Sequence, residues 1–412
     1  MTELRRQAFA RHLELSWPHP SDDIWRRTEV SLLDPSRGFA PAQPSLLQPL
    51  RLSDASLARD TQPLGGEQLI VRANGGWLTD TLPTMITLQE LAAAARQRPE
   101  QVRSLLEADG FTPAEQKLTS LNAAFHHDDL WLEIPAGSAS PTLLRLVHLF
   151  SAAPRQAIFP LTIIRVGAGS AVTLLDEYVS VEPTGTTEPH LINSRIELIL
   201  EPGADVRYVR LQRWGLHARE FLLQRTTLGR GASLVMVNLT LGSIVSKAHL
   251  VTRLIGEQAS LRLYGFIFGH HRQHVDQHTL QDHHAPHTHS DLLLNAALQD
   301  GSRMVYTGLI RIAKPAQQTQ AYQANHNLLL SSAAQAETIP MLEILADDVQ
   351  CKHGASVGPI DEEQTFYLQS RGLPREVAER LIVMGFVEPV IQHIPFEPLQ
   401  ERLRREIQEE LH

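Results

Sequence analysis

The chain of 412 residues contains a single cysteine, Cys351. That count excludes an internal disulfide, a thioredoxin-like CxxC, a zinc site of paired CxxC elements, and an iron–sulfur cluster held wholly by this chain's own thiolates. No stretch reaches the ~18 uninterrupted apolar residues that a membrane-crossing helix needs. The segment Met1 to Pro20, MTELRRQAFARHLELSWPHP, has no apolar centre of the kind a secretory leader carries, so a cytoplasmic location is expected. Positive charge is also in short supply: Lys plus Arg is 37 against 46 for Asp plus Glu, a net charge of -9. An acidic surface repels phosphate, which argues against nucleic acid or an anionic membrane as the main partner. The phosphate loop GxxxxGK[ST], a GxGxxG opening a helix and HExxH are all missing. What remains is an ordinary globular composition, 42% hydrophobic and 20% charged, long enough for two to three domains.

Residues 1–125 read as a helical, loop-rich domain with early prolines at 18, 20, 35, 41 and 44. Two capping boxes are expected there, Thr87 with Glu90 and Thr112 with Glu115, the second with Pro113 in the first helical position. Beyond Asp129 the apolar period changes from 3.6 to 2, beginning with Leu130, Leu132 and Ile134, and stays there to residue 360. Within this stretch a small or glycine-rich turn recurs ahead of alternating runs at Gly169, Gly203, Gly231, Gln258, Gly301 and Gln335, at intervals of 34, 28, 27, 43 and 34 residues. The positions predicted to point inward are Val172, Leu174, Val206, Tyr208, Leu234, Met236, Asn238, Leu261, Leu263, Met304 and Tyr306. One such unit cannot bury its apolar face alone, so stacking into a parallel β-helix is favoured. A sandwich is the competing architecture, but hairpin dipeptides between the strands are scarce. From Asp361 the period is helical again: a cap at Asp361, a stop at Gly372, a helix after Pro374 with Val377, Leu381 and Met384 in one stripe closed by Gly385, and a last helix with Leu399, Leu403, Ile407 and Leu411.

Two places hold side chains suited to chemistry. Eight of the twenty histidines fall between Gly269 and Asp291, and on a strand His274, Asp276 and His278 would share one face as a weak metal-binding set. Without a spacing signature, outward polar positions of a β-rung are the more ordinary reading. Near the end of the strand region, Cys351 and His353 are two apart and would also share a face, although two ligands do not make a site and a lone cysteine is more often a small core hydrophobe.

The segments Gln320 to Leu330, Thr338 to Glu343, Ala346 to Gly358 (ADDVQCKHGASVG) and Asp361 to Gly372 (DEEQTFYLQSRG), in that order, closely resemble the SufB/SufD family of iron–sulfur assembly proteins. Arg272 to Asp276 and His283 to His287 are similar to the family's preceding rungs, so the resemblance spans residues 270 to 390. A SufB-like chain would be longer and richer in cysteine, so the resemblance is to the SufD type.

The resemblance implies a mainly β protein: a right-handed parallel β-helix core (126–360) between helical amino-terminal (1–125) and carboxy-terminal (361–412) domains. It implies a non-catalytic scaffold subunit that pairs with a SufB-like subunit and binds a SufC-like ATPase; the sequence leaves open whether the chain forms a homodimer in isolation. Cys351 and His353 correspond to the family's CxHG motif, implicated in iron entry or cluster formation at the SufB–SufD interface; iron or the cluster would be transient and shared, with no cofactor held by this chain alone. ATPase docking falls on the helices after Asp361, at Phe366, Ser370, Arg371, Gly372 and Leu381. Lys352 and His326 depart from the family's usual residues, and a nearby Lys352 would be expected to alter the Cys351 thiol. A different reading, a metal-dependent β-helix enzyme using His270 to His289, would call for paired carboxylates that the sequence does not display. A third makes Cys351 and His353 buried and inert.

Overall fold

The computed structural model describes residues 2–42, 61–79, 86–107, 112–140, 142–151, 154–181 and 187–410. Pro44 and Leu411, named above, lie outside the described residues. Four short strands come first: β1 (Ala40–Pro41), β2 (Glu67–Ala73), β3 (Gly76–Trp77) and β4 (Thr87–Gln89). Then follow β5 (Asp128–Ile134), β6 (Leu143–Ser151), β7 (Gln156–Ile158), β8 (Pro160–Val166), β9 (Ala171–Val181), β10 (His190–Leu200), β11 (Asp205–Arg213) and β12 (Ala218–Leu228). The series continues with β13 (Ser233–Thr240), β14 (Val245–Leu254), β15 (Ser260–Gly269), β16 (His274–His283), β17 (His289–Leu298), β18 (Arg303–Ile312), β19 (Thr319–Leu329), β20 (Gln335–Ile344) and β21 (Val349–Pro359).

From β8 onward successive strands alternate between two sheets. One has eleven strands and runs β20-β18-β16-β14-β12-β10-β8-β5-β4, with β1 and β7 at its side; the other has ten and runs β21-β19-β17-β15-β13-β11-β9-β6-β2-β3. Among the described residues all pairings are parallel except β2 with β3 and β4 with β5, which rules out the sandwich and gives a solenoid of about 7 turns. The eleven inward positions predicted from the alternation are all buried, at 4% exposure or less. All but Asn238 join their neighbours in one apolar column between the sheets.

The turns explain the uneven repeat. Gly169, Gly203, Gly231, Gln258, His287 and Gln318 all have positive φ and each precedes a strand of the ten-stranded sheet. Each donates its backbone N–H to the turn of the next rung, as Gly203 does to Arg230 O at 2.8 Å. Gly301 and Gln335 instead lead into the other sheet, so the sequence repeat had merged two columns of turns. Where turns stack most closely only glycine fits: a Cβ on Gly256 would lie 2.0 Å from the Arg230 backbone nitrogen.

The helices cover the outer faces. Near the amino terminus are α1 (Thr2–Glu14), α2 (Leu91–Gln97), α3 (Pro99–Leu106) and α4 (Pro113–Phe125); after the strands come α5 (Glu362–Ser370), α6 (Arg375–Ile391) and α7 (Glu397–Glu410). The capping box of Thr112 and Glu115 is present. The one at Thr87 is not: Thr87–Gln89 is β4, paired to β5, and the Leu91 N–H is capped by the distant Asp129 carboxylate at 2.7 Å. The helical reading of the amino-terminal part also missed β2, whose Ile70 and Val71 are fully buried beside β6. At the other end Asp361 caps α5 and Gly372, at φ 92, ends it as expected. Gly385 does not close α6, which runs on to Ile391 because Val383, Val387, Val390 and Ile391 bury against the ten-stranded sheet; that gain exceeds the ~1 kcal/mol cost of a glycine in a helix. The expected stripe of Val377, Leu381 and Met384 is likewise replaced, and Leu381 is 50% exposed. Leu399, Leu403 and Ile407 of α7 are buried in the same cluster.

Candidate functional site

The solenoid is open at its carboxy-terminal end. Among the described residues β20 pairs only with β18 and β21 only with β19, so each presents a free edge of backbone donors and acceptors. No residue of β20 or β21 is fully buried. Met341, Leu342, Ile344, Leu345 and Val357 are exposed apolar side chains on this last rung. Unpaired edges combined with exposed apolar groups mark a surface meant to be covered.

Cys351 and His353 lie on β21. The parallel register sets Cys351 beside Ala321 and His353 beside Gln323. Cys351 is half-buried and packs with the inward-facing cluster of Ile310, Ile312, Ala316, Ala321 and Ala346. Alternation turns His353 to the same side of the strand, where it is exposed at the mouth of the solenoid. Burial pushes the Cys351 thiol above its ordinary value. Lys352 is turned away from the thiol, since adjacent residues of a strand face opposite ways. His326, the other departure, shares its ring Nδ1 with Ser356 Oγ at 2.7 Å on the exposed side of β19 and β21.

The helical hairpin after β21 carries a second exposed apolar surface. Phe366 is 71% exposed and Leu381 50%, and Tyr367, which the sequence reading passed over, is 56% exposed. The Arg371 guanidinium lies over the Tyr367 ring at 5.3 Å, Ser370 Oγ donates to Tyr367 O at 2.6 Å, and Gly372 supplies the turn. Arg375 fixes the hairpin by donating to both Glu362 and Glu379 at 2.6 Å. A groove of about 410 Å³ lined by Asp361, Glu363, Gln364, Tyr367, Leu368 and Ile382 opens on this face.

The histidine-rich segment is dispersed by the fold. His271 sits in a turn near Asp300, His283 points inward to Thr288 and Ser290, His284 meets Asp282, and His287 is one of the left-handed turn residues. His274, Asp276 and His278 do share the outer face of β16, but an ammonium is already there: Lys247 Nζ lies 2.6 Å from Asp276 Oδ2 and 3.1 Å from His278 Nε2. His278 Nε2 is also 2.8 Å from Asp276 Oδ1. Burial, then the Lys247 charge, bring His278 down to about 4; desolvation of Asp276 is outweighed by Lys247 and His278, which hold that carboxyl far below its usual range. Lys247 thus neutralises the carboxylate a cation would seek. Among the described residues no group of three or more His, Cys, Asp and Glu is placed to hold a metal ion.

Comparison with known proteins agrees with this geometry. Residues 148–386 match the family described as SUF system FeS cluster assembly, SufBD core domain. An iron-sulfur cluster assembly SufBD family protein of Synechocystis sp. is 27% identical over 413 residues, covering 97% of this chain and 89% of that protein. The iron-sulfur cluster assembly protein SufB of Bacillus subtilis is 27% identical over 292 residues, 69% of this chain and 60% of that protein. A SufBD family protein of Staphylococcus saprophyticus is 28% identical over 284 residues, again covering 60% of the relative. The match runs from β6 into α6, through every full rung and the open end, and the chain belongs to the SufBD family of iron–sulfur cluster assembly proteins.

Proposed function

We propose that the chain is the SufD-type scaffold subunit of a cytoplasmic SUF complex. Its open solenoid end joins a SufB-like subunit, and its α5–α6 hairpin docks a SufC-like ATPase. The observation that carries this reading is the coincidence of three features on the last rung: two free strand edges, an exposed apolar strip, and Cys351 with His353. One thiol and one imidazole are too few to hold a cluster, yet they suit a shared site whose remaining ligands come from partner thiolates. Iron or the nascent cluster is handled there as cargo, and no cofactor resides in this chain alone. Having a single cysteine favours the SufD type over the SufB type.

In this reading the chain is not itself the catalyst. Nucleotide-driven motion of the ATPase would be passed through Phe366, Ser370, Arg371, Gly372 and Leu381 to α6, which is packed on the ten-stranded sheet, and from there to the last rung. The test is anaerobic co-purification with SufB-like and SufC-like subunits, followed by cluster yield from visible absorption. A complex that forms normally with His353→Ala but loses most of its cluster supports the shared site. Unchanged yield reduces this subunit to architecture, and failure of the wild type to form any complex defeats the proposal. Cys351 labelling at equal rates with and without ATP in the intact complex would remove the gating step.

A further inference from the structure

The chain between α1 and β1 crosses the outer face of the eleven-stranded sheet as a strap. Trp25 is buried and stacks on Phe221 of β12 with ring centroids 5.9 Å apart. Lys247 of β14 donates to Ile24 O at 2.5 Å and lies 4.6 Å from the Trp25 ring. Thr28 Oγ1 donates to the Asp276 carboxylate of β16 and is 2.9 Å from His274 Nε2 on the same strand. Between these anchors, Arg27 Nε donates to Glu337 of β20, whose carboxylate also takes Arg303 of β18 at 3.3 Å. Five consecutive residues, Ile24 to Thr28, therefore reach β12, β14, β16 and β20.

The physical asymmetry lies at β20. Interior strands are held from both sides, whereas β20 has one neighbour, and edge strands open first. Arg27 supplies a second attachment to this strand from a rigid base. Its own side chain is 15% exposed, and the residues flanking it are tied to the buried Lys247–Asp276 pair. Hydrogen bonding to Arg27 holds the Glu337 carboxyl below its ordinary value, so the contact is ionised on both sides at neutral pH.

We propose that Arg27 is a positioning residue that keeps β20 ordered as a docking edge, so that the amino-terminal strap sets the state of the open solenoid end. Its purpose rests on the partner-binding reading above; the ordering itself is a property of this chain alone. The test is hydrogen–deuterium exchange on the isolated full chain as wild type, Arg27→Met, Glu337→Gln and Arg27→Lys. Arg27→Met keeps the apolar stem, and Glu337 is surface-exposed enough for its variant to fold. Loss of one charge-assisted hydrogen bond should speed exchange in residues 335–344 by about tenfold or more in both Arg27→Met and Glu337→Gln. Exchange in β10 to β14 should stay unchanged, and Arg27→Lys should fall between wild type and Arg27→Met. Unchanged exchange in 335–344, or equal acceleration throughout the solenoid, overturns the proposal. If the wild type joins no SufB-like subunit, the functional reading falls while the exchange data still decide the role of the strap.

Discussion

Arg402 in the last helix donates a hydrogen bond at 2.7 Å to Glu177 in β9, 225 residues earlier in the chain. Glu177 is fully buried and also accepts from Arg145 and Arg213, each at 2.6 Å. Around this charge cluster Leu399, Leu403 and Ile407 pack on the outer face of the ten-stranded sheet. The carboxy-terminal helices are thus fastened to the solenoid by an ionic anchor set in an apolar contact.

Glu177→Gln should lower global stability by about 3 to 5 kcal/mol, because three guanidinium groups lose their shared counter-charge. Burial pushes the Glu177 carboxyl up, but Arg402, Arg213 and Arg145 prevail and bring it to about 2. A carboxyl whose folded value is depressed contributes stability that is complete above its ordinary value near 4.5 and fades as pH falls toward about 2. Urea titrations between pH 5 and pH 2 should therefore show the difference between wild type and Glu177→Gln shrinking with acidification; a constant difference would contradict the linkage.

The Cys351 thiol should react slowly in the isolated chain. It is half-buried among apolar side chains, and burial raises its pKa, so little thiolate is present at neutral pH. Iodoacetamide labelling followed by intact mass should be slower than for a cysteine peptide at pH 7.5 and should accelerate with pH beyond pH 9. Peptide-like rates at neutral pH would show the thiol to be solvated.

Gln258 occupies a left-handed turn position that its column neighbours Gly203 and Gly231 fill with glycine. Gln258→Gly should raise stability by about 1 kcal/mol, since a side chain in this conformation costs about 1–2 kcal/mol and glycine gives part of that back as chain entropy. The thermal midpoint decides; a decrease would mean that the Gln258 side chain makes a compensating contact.

Leu345 is 58% exposed beside the free edge of β20. Leu345→Lys should leave the unfolding free energy within about 0.5 kcal/mol of wild type, as for most surface changes. It should weaken self-association of the isolated chain, seen by light scattering across a concentration series. Equal self-association in both proteins, or none in the wild type, would contradict this role for the exposed edge.

Much of the architecture was legible because a strand that buries one face writes a period of 2 into its residues. Val206 and Tyr208, or Leu234 and Met236, could be assigned inward from alternation alone. Short or unusual elements were not. The β2 sequence EQLIVRA is too brief to establish a period, and Thr87 with Glu90 carries a capping signature that pairing with β5 overrides. His287 and Gln318 were invisible as turn residues because they reach positive φ with neither a glycine nor the small Ala-Ser pair that follows Gln258. At the candidate site, Cys351 and His353 were singled out by the shared face of a strand and by the CKHG resemblance, and their places beside Ala321 and Gln323, respectively, followed from register.

By itself the sequence determined that the chain cannot enclose a cluster on its own thiols and that its apolar face must be buried by stacking like units. It determined too that its motifs resemble those of an assembly scaffold. Tertiary structure decided which polar groups meet. Lys247 stands against Asp276 and Arg27 against Glu337, and among the described residues no strand pairs with the outer side of the last rung. The reason is physical: periodicity along a strand is local and readable, whereas the partners of a charged side chain are set by inter-strand register and by what crosses the sheet from hundreds of residues away.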